Sequence, residues 1–190
     1  MLRRSLFVVG LGLALAGCAA VPVNTLTQDR RDSLRIDAIE VSFAPDAKIH
    51  WPDVQGAAPE EPAARLKYLE QRAIGPIKTA LNAEILPTFR GSAPARLKVR
   101  IRIVSIQAVA AQIIFGGAPY AIRSDMELVD SRTGRTLLAA TDFDGLSANF
   151  GGVLGAVQDA VSDAPIDRLS KAYAHVLSVW LKTGQKLATG

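Results

Sequence analysis

The chain predicts an α+β domain of order β-α-β-β-β-α, a small mostly antiparallel sheet with two helices on one face. Three observations carry that reading. Ala95–Ile106 alternates, with Leu97, Val99, Ile101 and Ile103 on one side and Lys98, Arg100 and Arg102 on the other. Tyr120–Asp130 alternates in the same way, Ile122, Met126 and Leu128 against Arg123, Asp125 and Glu127. Near the end, Ile166, Leu169, Tyr173, Val176, Leu177, Trp180 and Leu181 recur at helical spacing and form one broad apolar stripe.

Taken in order, Leu34–Phe43 is a β-prone run with Arg35, Asp37 and Glu40 set between apolar residues, a first strand with imperfect alternation. Ala44–Pro62 carries Pro45, Pro52, Pro59, Pro62 and Gly56 and reads as a loop, in which Trp51 pins the chain to the core or, beside His50, caps a ligand pocket. From Pro62 to about Phe89, Leu66, Leu69, Ile74, Ile77, Leu81 and Ile85 form one helical stripe. Gly75-Pro76 interrupts it. Proline lacks the amide donor and clashes with the preceding turn, so a kink or two consecutive helices are expected.

The two alternating runs are expected to pair antiparallel, which sets the acidic row of the second against the basic row of the first. Each such cross-strand pair contributes only about 0.2–1 kcal/mol, but together they fix register. The basic row reads as a solvated sheet face, with a phosphate or headgroup site as the other reading. Asp130–Arg135 is a turn, since aspartate can bond the backbone after it and Gly134 can take positive φ. Arg135–Phe143 returns as the next strand and Asp142–Gly145 ends it. Asp142 and Asp144 share a strand face, but the other oxygen ligands of a calcium loop are missing, so no metal is expected. Ser162 or Asp163 caps the last helix with Pro165 in its first turn, and Gly184 marks its end.

Arg3 and Arg4, the apolar run Leu6–Leu15 and the small residues Ala16 and Gly17 have the order of a secretory signal peptide. Leu15-Ala16-Gly17-Cys18 resembles a bacterial lipobox, and Cys18 is the one cysteine of the chain. An ordinary signal peptide containing a cysteine and a short membrane anchor are the other readings. The resemblance implies cleavage before Cys18, a diacylglyceryl group on its thiol and acylation of the freed amine. One buried acyl chain binds a bilayer marginally and two bind stably, at about 0.8 kcal/mol per methylene. Ala19, where an aspartate would favour retention, implies the outer membrane, with the domain facing the periplasm.

The expected organisation is then a signal peptide over 1–17, lipidated cysteine and tether over 18–33, one domain over 34–184 and a tail over 185–190. Ala19–Arg31 shows neither strand nor helix period and, fully extended at about 3.4 Å per residue, reaches roughly 40 Å. Loss of Arg3 and Arg4 reduces the 22 basic residues to 20 against 18 acidic ones, and no arginine-aromatic interleaving accompanies them, so nucleic acid is not an expected partner. His50 and His175 are the only histidines. No cofactor is expected. Layout and lipobox together resemble small envelope lipoproteins of proteobacteria, with a looser similarity to lipoprotein accessory subunits of envelope transporters and secretion systems. That resemblance carries over no functional residue beyond Cys18.

Two segments are apolar where polar connections would be expected, Ala108–Pro119 and Gly145–Val161. One reading makes them structure: Gln107–Phe115 extends the sheet and Val153–Val161 is a short helix. The other makes them an exposed contact surface, with Ile113, Ile114, Phe115, Phe150, Val153 and Leu154 as the candidate residues for a partner protein or lipid. If strands two to four are consecutive and antiparallel, both segments emerge at the same end of the sheet. The expected function is a lipid-anchored, non-catalytic binding or assembly component of the envelope. A small-ligand or lipid-binding lipoprotein is the alternative. A hydrolase is the least expected, because Ser105, Ser124 and Ser131 lack the glycines of a nucleophile elbow.

Overall fold

Alternating runs pair because each buries one face, and the sheet that results has the order β1-β2-β3-β4. The computed structural model describes residues 22–106, 120–148 and 165–185. Its strands are β1 (Leu34–His50), β2 (Ala93–Ser105), β3 (Tyr120–Asp130) and β4 (Thr136–Ala148). β1 and β2 are parallel, whereas β2–β3 and β3–β4 are antiparallel. A parallel neighbour needs a crossover, and here it consists of α2 (Pro52–Gly56), α3 (Pro62–Leu69), a π-turn (Glu70–Ile74) and α4 (Gly75–Ile85). A short α1 (Gln28–Ser33) precedes the sheet and α5 (Pro165–Thr183) follows it. α4 packs on β1, α5 on β3 and β4, and the two helices on each other. The α+β class and the two helices on one face stand as expected.

The π-turn accounts for the interrupted stripe. Pro76 offers no N–H and its ring would meet the Arg72 carbonyl, so the turn before it widens and Gly75 N–H reaches back to the Glu70 carbonyl. An extra residue in one turn rotates everything before it out of phase. Ile77, Leu81 and Ile85 of α4 are therefore buried, while Leu66 of α3 is 52% exposed and no residue of α3 is buried. The expected single stripe is two half-stripes: that of α4 is fully buried, and that before it meets the core only through the partly buried Leu69 and Ile74.

Three strand expectations need correction, each at a bulge. β1 does not end at Phe43: after a register shift between Phe43 and Lys48 it resumes and runs to His50. The shift tolerates Pro45, and the expected loop is cut to a shorter one containing α2. Trp51 beyond it is buried in the core cluster. In β2 a shift between Ile101 and Ile103 exchanges the faces, so Val104 and Ile106 are buried and Ile103 stands outside beside Arg102 and Arg123. β4 does not end at Asp142–Gly145. Asp142 takes φ 53° at a further shift, after which the strand continues to Ala148. Gly145–Ala148, read above as part of an apolar connection, belongs to β4.

Along α5 all seven stripe residues are buried. Phe143 of β4 meets Trp180 at 5.2 Å between ring centroids, and Tyr173 edge-on at 6.4 Å. Such pairs contribute about 0.5–1.5 kcal/mol beyond their burial. Tyr173 Oη lies 2.6 Å from Ser124 Oγ, both residues fully buried. Burial pushes the phenol far above its ordinary range, opposed in part by the Ser124 hydrogen bond, so it stays neutral. The ring lies directly on Gly145, where any Cβ would stand inside it.

Two predictions follow from this packing. Gly145→Ala should destabilise the domain by about 1–3 kcal/mol through overpacking. Tyr173→Phe should cost about 1–3 kcal/mol because the Ser124 hydroxyl is left unpaired, and adding Ser124→Ala should recover part of that loss; urea unfolding of the three variants measures both. In the β3–β4 turn, the backbone N–H groups of Thr133 and Arg132, with a smaller effect from Arg30, hold the Asp130 carboxyl below its ordinary range. A lowered folded-state value means that this stabilisation is complete above an unfolded value of about 4 and is lost as pH falls through the folded one. Asp130→Asn should therefore flatten the acid limb of a thermal-stability profile and leave its slope above neutral pH unchanged.

Candidate functional site

Strand direction divides the molecule into two poles. β1, β2 and β4 run toward one pole and β3 and α5 run away from it. Ser105 pairs with Ala121 and Tyr120 pairs with Ala148. The chain therefore leaves after Ile106 and returns at Tyr120, then leaves again after Ala148, all at one end of the sheet. The candidate contacts Ile113, Ile114 and Phe115 fall between the first two roots, and Phe150, Val153 and Leu154 after the third. These six, the helix caps Ser162 and Asp163, and Cys18 lie outside the described residues. The expectation that both apolar segments emerge at one end holds for their roots. Ile106, Tyr120 and Trp51 are all buried there, so the roots are anchored in the core.

The opposite pole holds the N-terminal segment. Asn24 Nδ2 donates to the Trp180 carbonyl at 3.0 Å, and Trp180 Nε1 donates to the Pro22 carbonyl at 3.1 Å. Leu26 N–H returns to Asn24 Oδ1 at 3.0 Å, and the Arg31 guanidinium donates to the Leu26 carbonyl. Thr27 then caps α1. Asn24 and Leu26 are buried. The expected tether is thus docked from Pro22 onward, a correction with a clear cause. A segment held by side-chain bonds to helix-end carbonyls needs no 2- or 3.6-residue period, so it shows none. An asparagine shortly before a helix cap was the one available signal.

Between the poles, the outer sheet face has the expected register: Lys98 opposite Glu127 and Arg100 opposite Asp125. Lys98 Nζ is 3.9 Å from Glu127, and Arg102 bridges Asp46 at 2.9 Å and Asp125 at 3.8 Å. The Asp46 hydrogen bond, then the charges of Asp46 and Asp125, raise the Arg102 guanidinium above its usual range. Arg123 binds Asp142 at 2.5 Å. The carboxylates a phosphate would have to displace already hold Lys98, Arg102 and Arg123. Exposed pairs of this kind contribute about 0–1 kcal/mol each, so they set register and polarity more than stability.

The side chains considered for chemistry are dispersed. Ser124 is committed to Tyr173, Ser105 ends β2 and Ser131 sits in the opposite turn. His50 ends β1, while His175 projects from α5 with Nδ1 3.1 Å from Glu84 Oε1 of α4. That pair borders a shallow groove of about 480 Å³ between α4 and α5, lined by Pro76, Ala80, Ala83, Glu84 and Lys171 among others. Among the described residues, no three histidine, cysteine, aspartate or glutamate side chains are grouped to hold a metal ion, and no helix is long and apolar enough to cross a membrane.

Asn24→Ala should cost about 0.5–1.5 kcal/mol through the lost hydrogen bonds. It should also make the backbone before Thr27 susceptible to limited proteolysis, while the amides of β2 and β3 keep their slow hydrogen exchange. No protein-family model, curated protein or solved structure matches this chain.

Proposed function

We propose that this chain is a lipid-anchored, non-catalytic component of the cell envelope that binds another envelope protein through its apolar segments. Acylated Cys18 would hold it in a leaflet, the outer membrane facing the periplasm being the assignment that Ala19 favours. The observation that carries the reading is the placement of the roots. Two long apolar segments, rich in Ile, Val, Phe and Gly and with Asp159 as their one charged residue, originate side by side at the pole opposite the one where the chain arrives from Cys18. Exposed apolar surface marks sites of association, and the buried Ile106 and Tyr120 anchor the roots of the first segment in the core.

The test is a native pull-down of the full chain from detergent-solubilised envelope, analysed for proteins and lipids together. The expected result is a stoichiometric envelope protein that is lost when Ile113, Ile114 and Phe115 are changed to serine, in a variant whose thermal unfolding matches that of the parent. Cys18→Ala should release the chain from the membrane fraction. A monomer that retains additional phospholipid through the same residues would replace the adaptor reading with a lipid-binding one. Unchanged binding in the serine variant would remove the apolar segments as the contact.

A further inference from the structure

The docked N-terminal segment settles how far the domain could stand from an anchor at Cys18. Pro22 is docked on Trp180, and the four residue steps from Cys18 to Pro22, at about 3.4 Å each, reach no more than roughly 14 Å. Pro22 is held by Trp180 in the last turns of α5, and α1 beside it contacts both sheet and helix: Arg30 lies 3.7 Å from Asp130, and Arg31 lies against Gly184. The pole made by α1, the Thr88–Gly91 connection, the Ser131–Arg135 turn and the end of α5 must then face whatever surface holds the anchor.

That pole differs electrically from the rest of the molecule. It carries Arg30, Arg31, Arg35, Arg90, Arg132, Arg135 and Lys182 against Asp29, Asp32, Asp37 and Asp130. Elsewhere the described residues hold twelve basic and twelve acidic side chains, so the whole positive surplus sits here. Arg30 and Arg35 are paired with Asp130 and Asp37. Arg90, Arg132, Arg135 and Lys182 are exposed and have no carboxylate partner among the described residues. Arg31, Arg90 and Lys182, with Asp32 as the one carboxylate, line one shallow depression beside α1, and Arg30 and Arg135 line another. Val23, next to Pro22, is 77% exposed, the most exposed large apolar side chain among the described residues.

We propose that this pole is a membrane-docking surface for anionic phospholipid headgroups, with Arg90, Arg132, Arg135 and Lys182 as the phosphate contacts and Val23 inserted at the interface. Attraction of this kind acts within a Debye length of about 8 Å at physiological ionic strength, and a short connection keeps the pole inside that range. The proposal rests on acylation of Cys18, so its test separates the two.

The full lipidated chain, extracted from envelope and checked by mass for the acyl groups on Cys18, is reconstituted into vesicles of phosphatidylethanolamine alone or with phosphatidylglycerol. Hydrogen exchange is then read segment by segment. The expected result is several-fold slower exchange across Thr88–Gly91 and Ser131–Arg135 on the phosphatidylglycerol vesicles only. The effect should disappear at high salt and in the variant R90E/R132E/R135E/K182E, which still floats with the vesicles. Val23→Ser, which leaves the charges in place, should weaken it partially. Floating protein with equal exchange on both vesicles overturns the docking surface and leaves the anchor standing. An unmodified Cys18 overturns both. Slower exchange at His50–Trp51 and Ser105–Ile106 instead would overturn it by placing the other pole on the lipid.

Discussion

The structure depends on the seam along which α5 presses Tyr173 and Trp180 onto Phe143 of β4. Three requirements meet there. Gly145 must lack a side chain so that the Tyr173 ring can lie on the strand, and Ser124 must stand beneath the phenol to satisfy its hydroxyl. Trp180 must sit low enough for its indole N–H and its carbonyl to receive the N-terminal segment. The first two join the helix to the sheet, and the third joins the N-terminal segment to the helix. Shifting α5 by one turn, about 5.4 Å, would break all three together. The seam therefore sets the position of both poles relative to the sheet.

The bulges explain how long strands serve a short helical layer. β1 and β4 both extend past the point at which their alternation fails, and the failure lies at Phe43/Lys48 and at Asp142. Each irregularity changes phase locally and lets the strand continue with the right face inward. Asp142 shows the mechanism: its left-handed backbone carries its amide to Asp125 at 2.9 Å and its carboxylate to Arg123. A kink that exposes backbone groups is thus repaired by the same charge network that fixes the β2–β3 register.

Legibility in the sequence followed regularity. β3 and the α5 stripe were readable in full because nothing interrupts their periods, and the acidic-to-basic pairing of β2 and β3 followed from them. Ile103 was misplaced because a bulge changes the parity of every later residue in the strand, and nothing in Arg102-Ile103-Val104 announces one. Pro45 and Asp142-Phe143-Asp144-Gly145 looked like strand ends because breaker residues mark loops and bulges alike. The docked segment at Asn24 was hidden because its hydrogen bonds reach residues 156 and 157 positions away. The basic pole was hidden for a related reason: Arg90, Arg132, Arg135 and Lys182 are far apart in the chain, and only the fold assembles them. Of the candidate site, the sequence supplied the apolar segments and the sheet supplied their common root.

The two poles constrain each other. α5 has nineteen residues, and at a rise of about 1.5 Å per residue it separates them by roughly 28 Å. An anchor at Cys18 would bring Pro22 and the basic pole to the headgroups. The roots of the apolar segments would then stand about one helix length away, on the side facing the aqueous compartment. The positive surplus of the described residues at one end and the roots of the apolar segments at the other are thus two consequences of one topology, in which β1 begins and α5 ends at the same end of the sheet.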